Sequence, residues 1–147
     1  MHFARHDAGR YYLHPVDAAY ALSLIPEGEK SDRFKHGDPL FTRLALYARG
    51  ADYFRSARTP RDEWTSLPDL EAQLAEIDLR CAAQDYDTAA RVLLDIDFHY
   101  LLLWGHYRLM MDLHQRLQGK IGDSTLQRIS IGNLGPVSYT HLTLPTN

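Results

Sequence analysis

Residues 70–94 read LEAQLAEIDLRCAAQDYDTAARVLL, and this stretch decides the fold class. Leu70, Leu74, Ile77 and Cys81 recur at i, i+4, i+7 and i+11, which lines four apolar side chains along one face of a 3.6-residue helix. Gln84-Asp85 is turn material, and Tyr86, Ala89, Ala90, Leu93 and Leu94 mark a second helix beyond it. A loop that short forces two helices antiparallel. The chain is therefore expected to be mainly α, built of helical hairpins.

The same pattern continues on both sides. Downstream, a short segment over residues 97–104 is broken by Gly105, and Tyr107, Met110, Met111, His114 and Leu117 mark a further helix ending at Gly119. Upstream, Asp38 as N-cap and Pro39 at the first helical position predict a helix starting there, with Phe41, Leu44, Ala48, Ala51 and Phe54 or Arg55 on its buried stripe. Gly50 inside it costs about 1 kcal/mol against alanine and points to a close helix contact. Thr59-Pro60 stops it. Gln84-Asp85-Tyr86-Asp87-Thr88-Ala89 and Gly105-His106-Tyr107-Arg108-Leu109-Met110 echo each other, each a polar turn with tyrosine opening a helix, as in helical solenoids.

The N-terminus has a different texture. Residues 3–14 read as a β-hairpin, with turn material at Asp7-Ala8-Gly9 and a β-prone run at Arg10-Tyr11-Tyr12-Leu13. Pro15 suits the first turn of a helix that carries Val16, Ala19, Tyr20 and Leu24 on one face and ends at Pro26. Residues 26–38 read as a polar linker. The expected organisation is 1–25, 26–38, a helical region over 39–135, and a tail over 136–147. The tail switches to alternating Thr and Leu, and it resembles the peptide obtained by translating a sequencing adaptor; a β-strand extension is the competing reading.

Composition bounds the function. Of 147 residues, 45% are hydrophobic and 24% charged, enough for one domain with a real core. A net charge of −3 argues for neither nucleic acid nor a membrane surface. Charge is unevenly spread: residues 69–97 hold eight acids against two arginines, residues 41–58 four arginines against one acid. The two stretches either dock on each other or stay solvated. One cysteine, Cys81, allows no internal disulfide, and its place on an apolar stripe reads as an inert core thiol. No apolar run approaches the roughly 18 residues of a membrane span, and no signal peptide is visible, so a cytoplasmic setting is expected.

With these elements in view, a family resemblance can be stated. Arg10-Tyr11-Tyr12-Leu13-His14-Pro15-Val16-Asp17 resembles the end of the winged-helix domain in STAND (NB-ARC-type) signalling NTPases. Trp64, Leu67-Pro68-Asp69-Leu70, Ala82-Ala83-Gln84-Asp85-Tyr86-Asp87 and Leu101-Leu102-Leu103-Trp104-Gly105-His106-Tyr107 are similar to the irregular helices that join it to a tetratricopeptide array. Ile131-Gly132-Asn133-Leu134-Gly135 looks like the opening of the first regular repeat. The resemblance implies a tetratricopeptide-like α-solenoid behind the remnant of a truncated winged helix, serving as a non-catalytic interaction and regulatory segment of a nucleotide-gated signalling protein. It also implies that His14 would sense the phosphate end of ADP in an intact parent. The departure is the phosphate loop: no Gly-x-x-x-x-Gly-Lys-Ser/Thr occurs, and Gly119-Lys120 is followed by Ile121. No bound cofactor is expected for this chain, with ADP or ATP reserved for the full-length protein.

Other chemistry is weaker. Val92-Leu93-Leu94-Asp95-Ile96-Asp97 imitates a Walker B strand but sits in a helical pattern, so it reads as a helix end with solvated carboxylates. His99, His106 and His114 with Asp95 and Asp112 suggest a metal site, yet no two histidines have i, i+4 spacing. A small helical metal-dependent enzyme is thus an alternative reading. A DNA-binding winged-helix regulator, touching phosphate through Arg5, His6 and Arg10, is another. The expected partner is a protein. Tyr86, Tyr100, Trp104 and Tyr107 are the candidates to line its groove, from an aromatic set that core packing otherwise explains.

Overall fold

The computed structural model describes the backbone of residues 4–7, 10–34 and 41–142, and side chains over 14–32 and 41–133. Strands β1 (Ala4–Asp7) and β2 (Arg10–Leu13) pair antiparallel, with Ala4 opposite Leu13 and Asp7 opposite Arg10. Among the described residues six α-helices follow: α1 (Pro15–Leu24), α2 (Arg43–Ser56), α3 (Glu71–Ala82), α4 (Tyr86–Ile96), α5 (Tyr107–Leu117) and α6 (Ser124–Leu142). The mainly α expectation holds. The helical backbone of α6 runs through Leu142, which overturns the strand reading of the tail as far as that residue. Asp38 and Pro39 lie outside the described residues.

Helix α2 begins later than the Asp38-Pro39 signal predicts, because a nearer cap takes over. Thr42 Oγ1 accepts from the Ala45 N–H at 3.4 Å, while the Arg43 and Leu44 N–H groups donate to the Pro26 and Glu27 carbonyls at 2.8 and 3.1 Å. Those bonds also correct the linker reading for its described part. Residues 26–32 are packed against the start of α2: Asp32 is buried and accepts from the Glu29 N–H at 2.8 Å and the Thr42 hydroxyl at 3.2 Å. Gly28 sits at φ +84°, and a β-carbon there would meet Thr42 at 2.4 Å, so only glycine fits.

Helix α3 packs on both neighbours through two different faces. Leu70 and Ile77 join Ala89, Ala90, Leu93 and Ile96 of α4, then Leu101, Met110, Leu113, Leu117 and Ile121, in one core. Its other buried face is polar and turned toward α2: Gln73, Glu76 and Arg80 at i, i+3 and i+7. There Arg58 Nη2 meets Glu76 Oε2 at 2.6 Å, and Arg80 Nη2 meets Asp52 Oδ1 at 2.6 Å. One basic-to-acidic pair, Arg58–Glu76, thus joins the two stretches, while Arg80 and Asp52 run against the average sign of their own helices. Gly50 faces α3 closely, as its position predicts; a β-carbon there would sit 3.1 Å from Leu79 Cδ1.

Local chemistry sets the boundaries. Asp69 Oδ2 accepts from the Thr65 and Ser66 N–H groups at 3.0 and 2.9 Å, bracing the 3-10 turn over Leu67–Leu70 that leads into α3. Those bonds, the Thr65 N–H foremost, hold its carboxyl below the ordinary value. Gln84 at φ +59° closes α3, so the turn lies where the sequence places it. Between α4 and α5 the backbone widens into a π-helical turn over Asp97–Leu102. Asp123 Oδ1 caps α6 by accepting from the Thr125 and Leu126 N–H groups at 2.8 and 3.2 Å. Asp87 Oδ1 accepts from the Gly122 N–H at 2.8 Å and ties that loop back to α4.

Candidate functional site

Two polar assemblies stand out against the apolar core. The first grows from the π-helical turn, which turns Asp97 inward. Asp97 Oδ2 lies 3.1 Å from His114 Nε2 and accepts from Asn133 Nδ2 at 2.7 Å, and His114 Nδ1 lies 2.7 Å from Ser130 Oγ. The order Ser–His–Asp is that of a hydrolytic triad. Its setting is different: His114 and Asp97 are each 1% exposed and Ser130 5%. Ser130 also lies inside α6, where backbone N–H groups are spent on the helix and cannot cradle an oxyanion. The array acts as a clasp joining the π-helical turn, α5 and α6.

This clasp corrects one reading of the sequence. Asp97 is not a solvated carboxylate at a helix end, because the π-helical turn inserts it between two helices. Asp95, two residues earlier, is exposed and pairs with Arg61 at 3.2 Å. Ser130 and Asn133 fall in the helical region expected over 39–135, but their roles depend on distant partners: Ser130 is 16 residues from His114 and Asn133 is 36 from Asp97. His99 stacks edge-on against Phe98, at 5.5 Å between centroids, apart from the His114 clasp. Among the described residues, no group of three or more His, Cys, Asp and Glu is placed to hold a metal.

The second assembly is half-buried, its rings packed on the core from the surface side. Tyr100 stacks edge-on between Trp64 and Trp104, at 4.9 and 5.1 Å between centroids. The Trp64 indole donates to the Thr59 carbonyl at 2.8 Å, which fixes its ring. Arg61 covers the cluster: its guanidinium lies 5.7 Å from Trp64 and 5.6 Å from Tyr100, and its Nε donates to the Tyr100 hydroxyl at 3.0 Å. That bond first, and the Asp95 carboxylate second, hold the guanidinium proton more firmly than usual.

Asp95 is also the rim of a cleft of about 490 Å³ between α2, α3 and α4, lined by Arg55, Arg58, Glu76, Thr88, Arg91 and Val92 besides Asp95 itself. The arginine cleft and the aromatic cluster therefore share one carboxylate, Asp95.

The structure brings two of the four aromatic candidates together. Tyr100 and Trp104 meet at the cluster. Tyr86 opens α4 at its other end, under the Lys120 ammonium at 5.4 Å. Tyr107 packs against the core at the start of α5. The sequence reading missed Arg61 and Trp64 as partners of Tyr100, since they lie 39 and 36 residues away along the chain.

His14 stands apart from both assemblies as the N-cap of α1. Its Nδ1 accepts from the Val16 N–H at 3.3 Å, which leaves Nε2 free to donate. Arg5, His6 and Arg10 fall outside the described side chains. No helix among the described residues is long and apolar enough to cross a membrane. No family model, curated protein or solved structure matches the chain.

Proposed function

We propose that this chain is a non-catalytic protein-interaction segment, in which tetratricopeptide-like helical hairpins act as scaffold or sensor within a larger nucleotide-gated signalling protein. The observation that carries this reading is the arginine cleft beside the Arg61–Trp64–Tyr100–Trp104 cluster, linked to it through Asp95. Arginine and aromatic side chains fixed by neighbours, beside a concavity, are the residue types that anchor protein partners. The strand pair and α1 fit the end of a winged helix. In an intact parent, the outward Nε2 of His14 would be the atom that donates to a nucleotide phosphate.

The test is site-specific photocrosslinking in cells. A benzophenone side chain at Trp104 is expected to give discrete protein adducts, and one at Arg116, on α5 and paired instead with Asp78, to give none. Equal adduct patterns from both positions would remove the assignment of this face.

A further inference from the structure

We propose that the cleft between α2, α3 and α4 binds a phosphorylated serine or threonine in an otherwise extended peptide, a proposal that rests on the protein-interaction reading above. The charges of the cleft and its leftover donors carry this assignment.

Arg58 spends its Nε and Nη2 on a single oxygen, Glu76 Oε2, at 3.1 and 2.6 Å. This fixes the guanidinium and leaves Nη1 uncommitted in that pair. Glu76 is further balanced by Arg80, whose Nε lies 3.5 Å from Oε1. Asp95 is balanced by Arg61. Both acids of the cleft are thus neutralised by cations that they already hold.

Two arginines remain. Arg55 makes no ion pair or hydrogen bond among the described residues, and Arg91 reaches only Asp123, at 4.0 Å. The Thr88 hydroxyl, on the same wall one helical turn before Arg91, also lacks a hydrogen-bond partner among the described residues. One uncompensated guanidinium fork (Arg55), a second tied only loosely to Asp123 (Arg91), a third held in place and a hydroxyl, around one concavity, suit a compact group with several acceptor oxygens and double charge. A phosphomonoester has both. A single carboxylate has one charge and two oxygens, and the cleft already holds two carboxylates of its own. The volume of about 490 Å³ admits the phosphorylated side chain, and Tyr100 and Trp64 beyond Asp95 offer apolar contact for a flanking residue.

The full chain is titrated, by fluorescence anisotropy, with labelled peptides of one sequence bearing phosphoserine, glutamate or serine at the centre. The expected result is saturable binding of the phosphoserine peptide, at least tenfold tighter than glutamate and weakened by salt. Arg55→Gln and Arg91→Gln should each lower its affinity by about tenfold, as loss of a charge-assisted hydrogen bond does, with the helical circular-dichroism spectrum unchanged. Arg116→Gln should leave it as it is. Equal binding of the glutamate peptide, equal affinity for free inorganic phosphate, or full binding by the Arg55/Arg91 double variant would each overturn the proposal. Absence of all peptide binding, with Trp104 crosslinks still discrete, would overturn the phosphate site and leave the interaction face standing.

Discussion

Helices α1 and α4 carry apolar side chains at matching helical spacing and finish in opposite environments. On α1, Val16, Tyr20 and Leu24 repeat every four residues and are 68%, 66% and 67% exposed, with no residue of that helix buried. On α4, Ala89, Ala90, Val92, Leu93 and Ile96 are all buried. The stripe on α4 is covered because α3 lies antiparallel on one side and α5 and α6 close the other. The difference teaches that periodicity names the face a helix offers and says nothing about whether a neighbour accepts it.

The sharpest way to break this comparison is to cut side chains from both helices. Leu93→Ala should cost about 2–5 kcal/mol in urea denaturation, because it opens a cavity in a fully packed core. Tyr20→Ala on α1 should change stability by no more than about 0.5 kcal/mol. A cost for Tyr20→Ala equal to that of Leu93→Ala would mean that the α1 stripe is covered in solution.

A smaller effect separates two carboxylates on the same side of the argument. Asp97→Ala removes the acceptor shared by His114 and Asn133 and should destabilise by about 3 kcal/mol, at roughly 1–3 kcal/mol for each buried group orphaned. Asp95→Ala breaks only an exposed ion pair and should stay within about 1 kcal/mol. Equal costs would show that the clasp is open to water.

The smallest effect is on acidification. Asp69 and Asp123 are both held below the ordinary value by N–H donors at the entries to the α3 and α6 segments. A depressed folded pKa gives stability that is complete above the unfolded value and is lost as pH falls through the folded one. The urea midpoint should therefore drop from about pH 4 downward, and less steeply in an Asp69→Asn/Asp123→Asn double variant. An unchanged slope in that variant would remove these two caps as the source.

Much of the helical frame was legible beforehand. The stripes at Leu70 and Ile77 and at Ala89 and Leu93 are the observed core, and Gln84, Gly105 and Gly119 punctuate the chain at positive φ where turns were expected. These are local signals, and a helix face or a left-handed turn residue needs no knowledge of distant neighbours. The start of α2 was misplaced because Thr42 could also cap, and the choice fell to the Pro26 and Glu27 carbonyls.

The candidate site was barely legible. Tyr100 and Trp104 could be named, but not Arg61 and Trp64 as their companions, nor the buried face of α3 that holds Glu76 and Arg80. Residue order by itself determined which segments are helical and which side of each is apolar, since backbone sterics and a 3.6-residue period act within a few neighbours. Only the tertiary arrangement decided that Asp97 would be inside and Asp95 outside, and that Arg55 at the α2–α4 cleft would have no ion pair among the described residues while Arg91 reaches Asp123 only at 4.0 Å. Coulombic pairing and burial depend on what arrives from far along the chain.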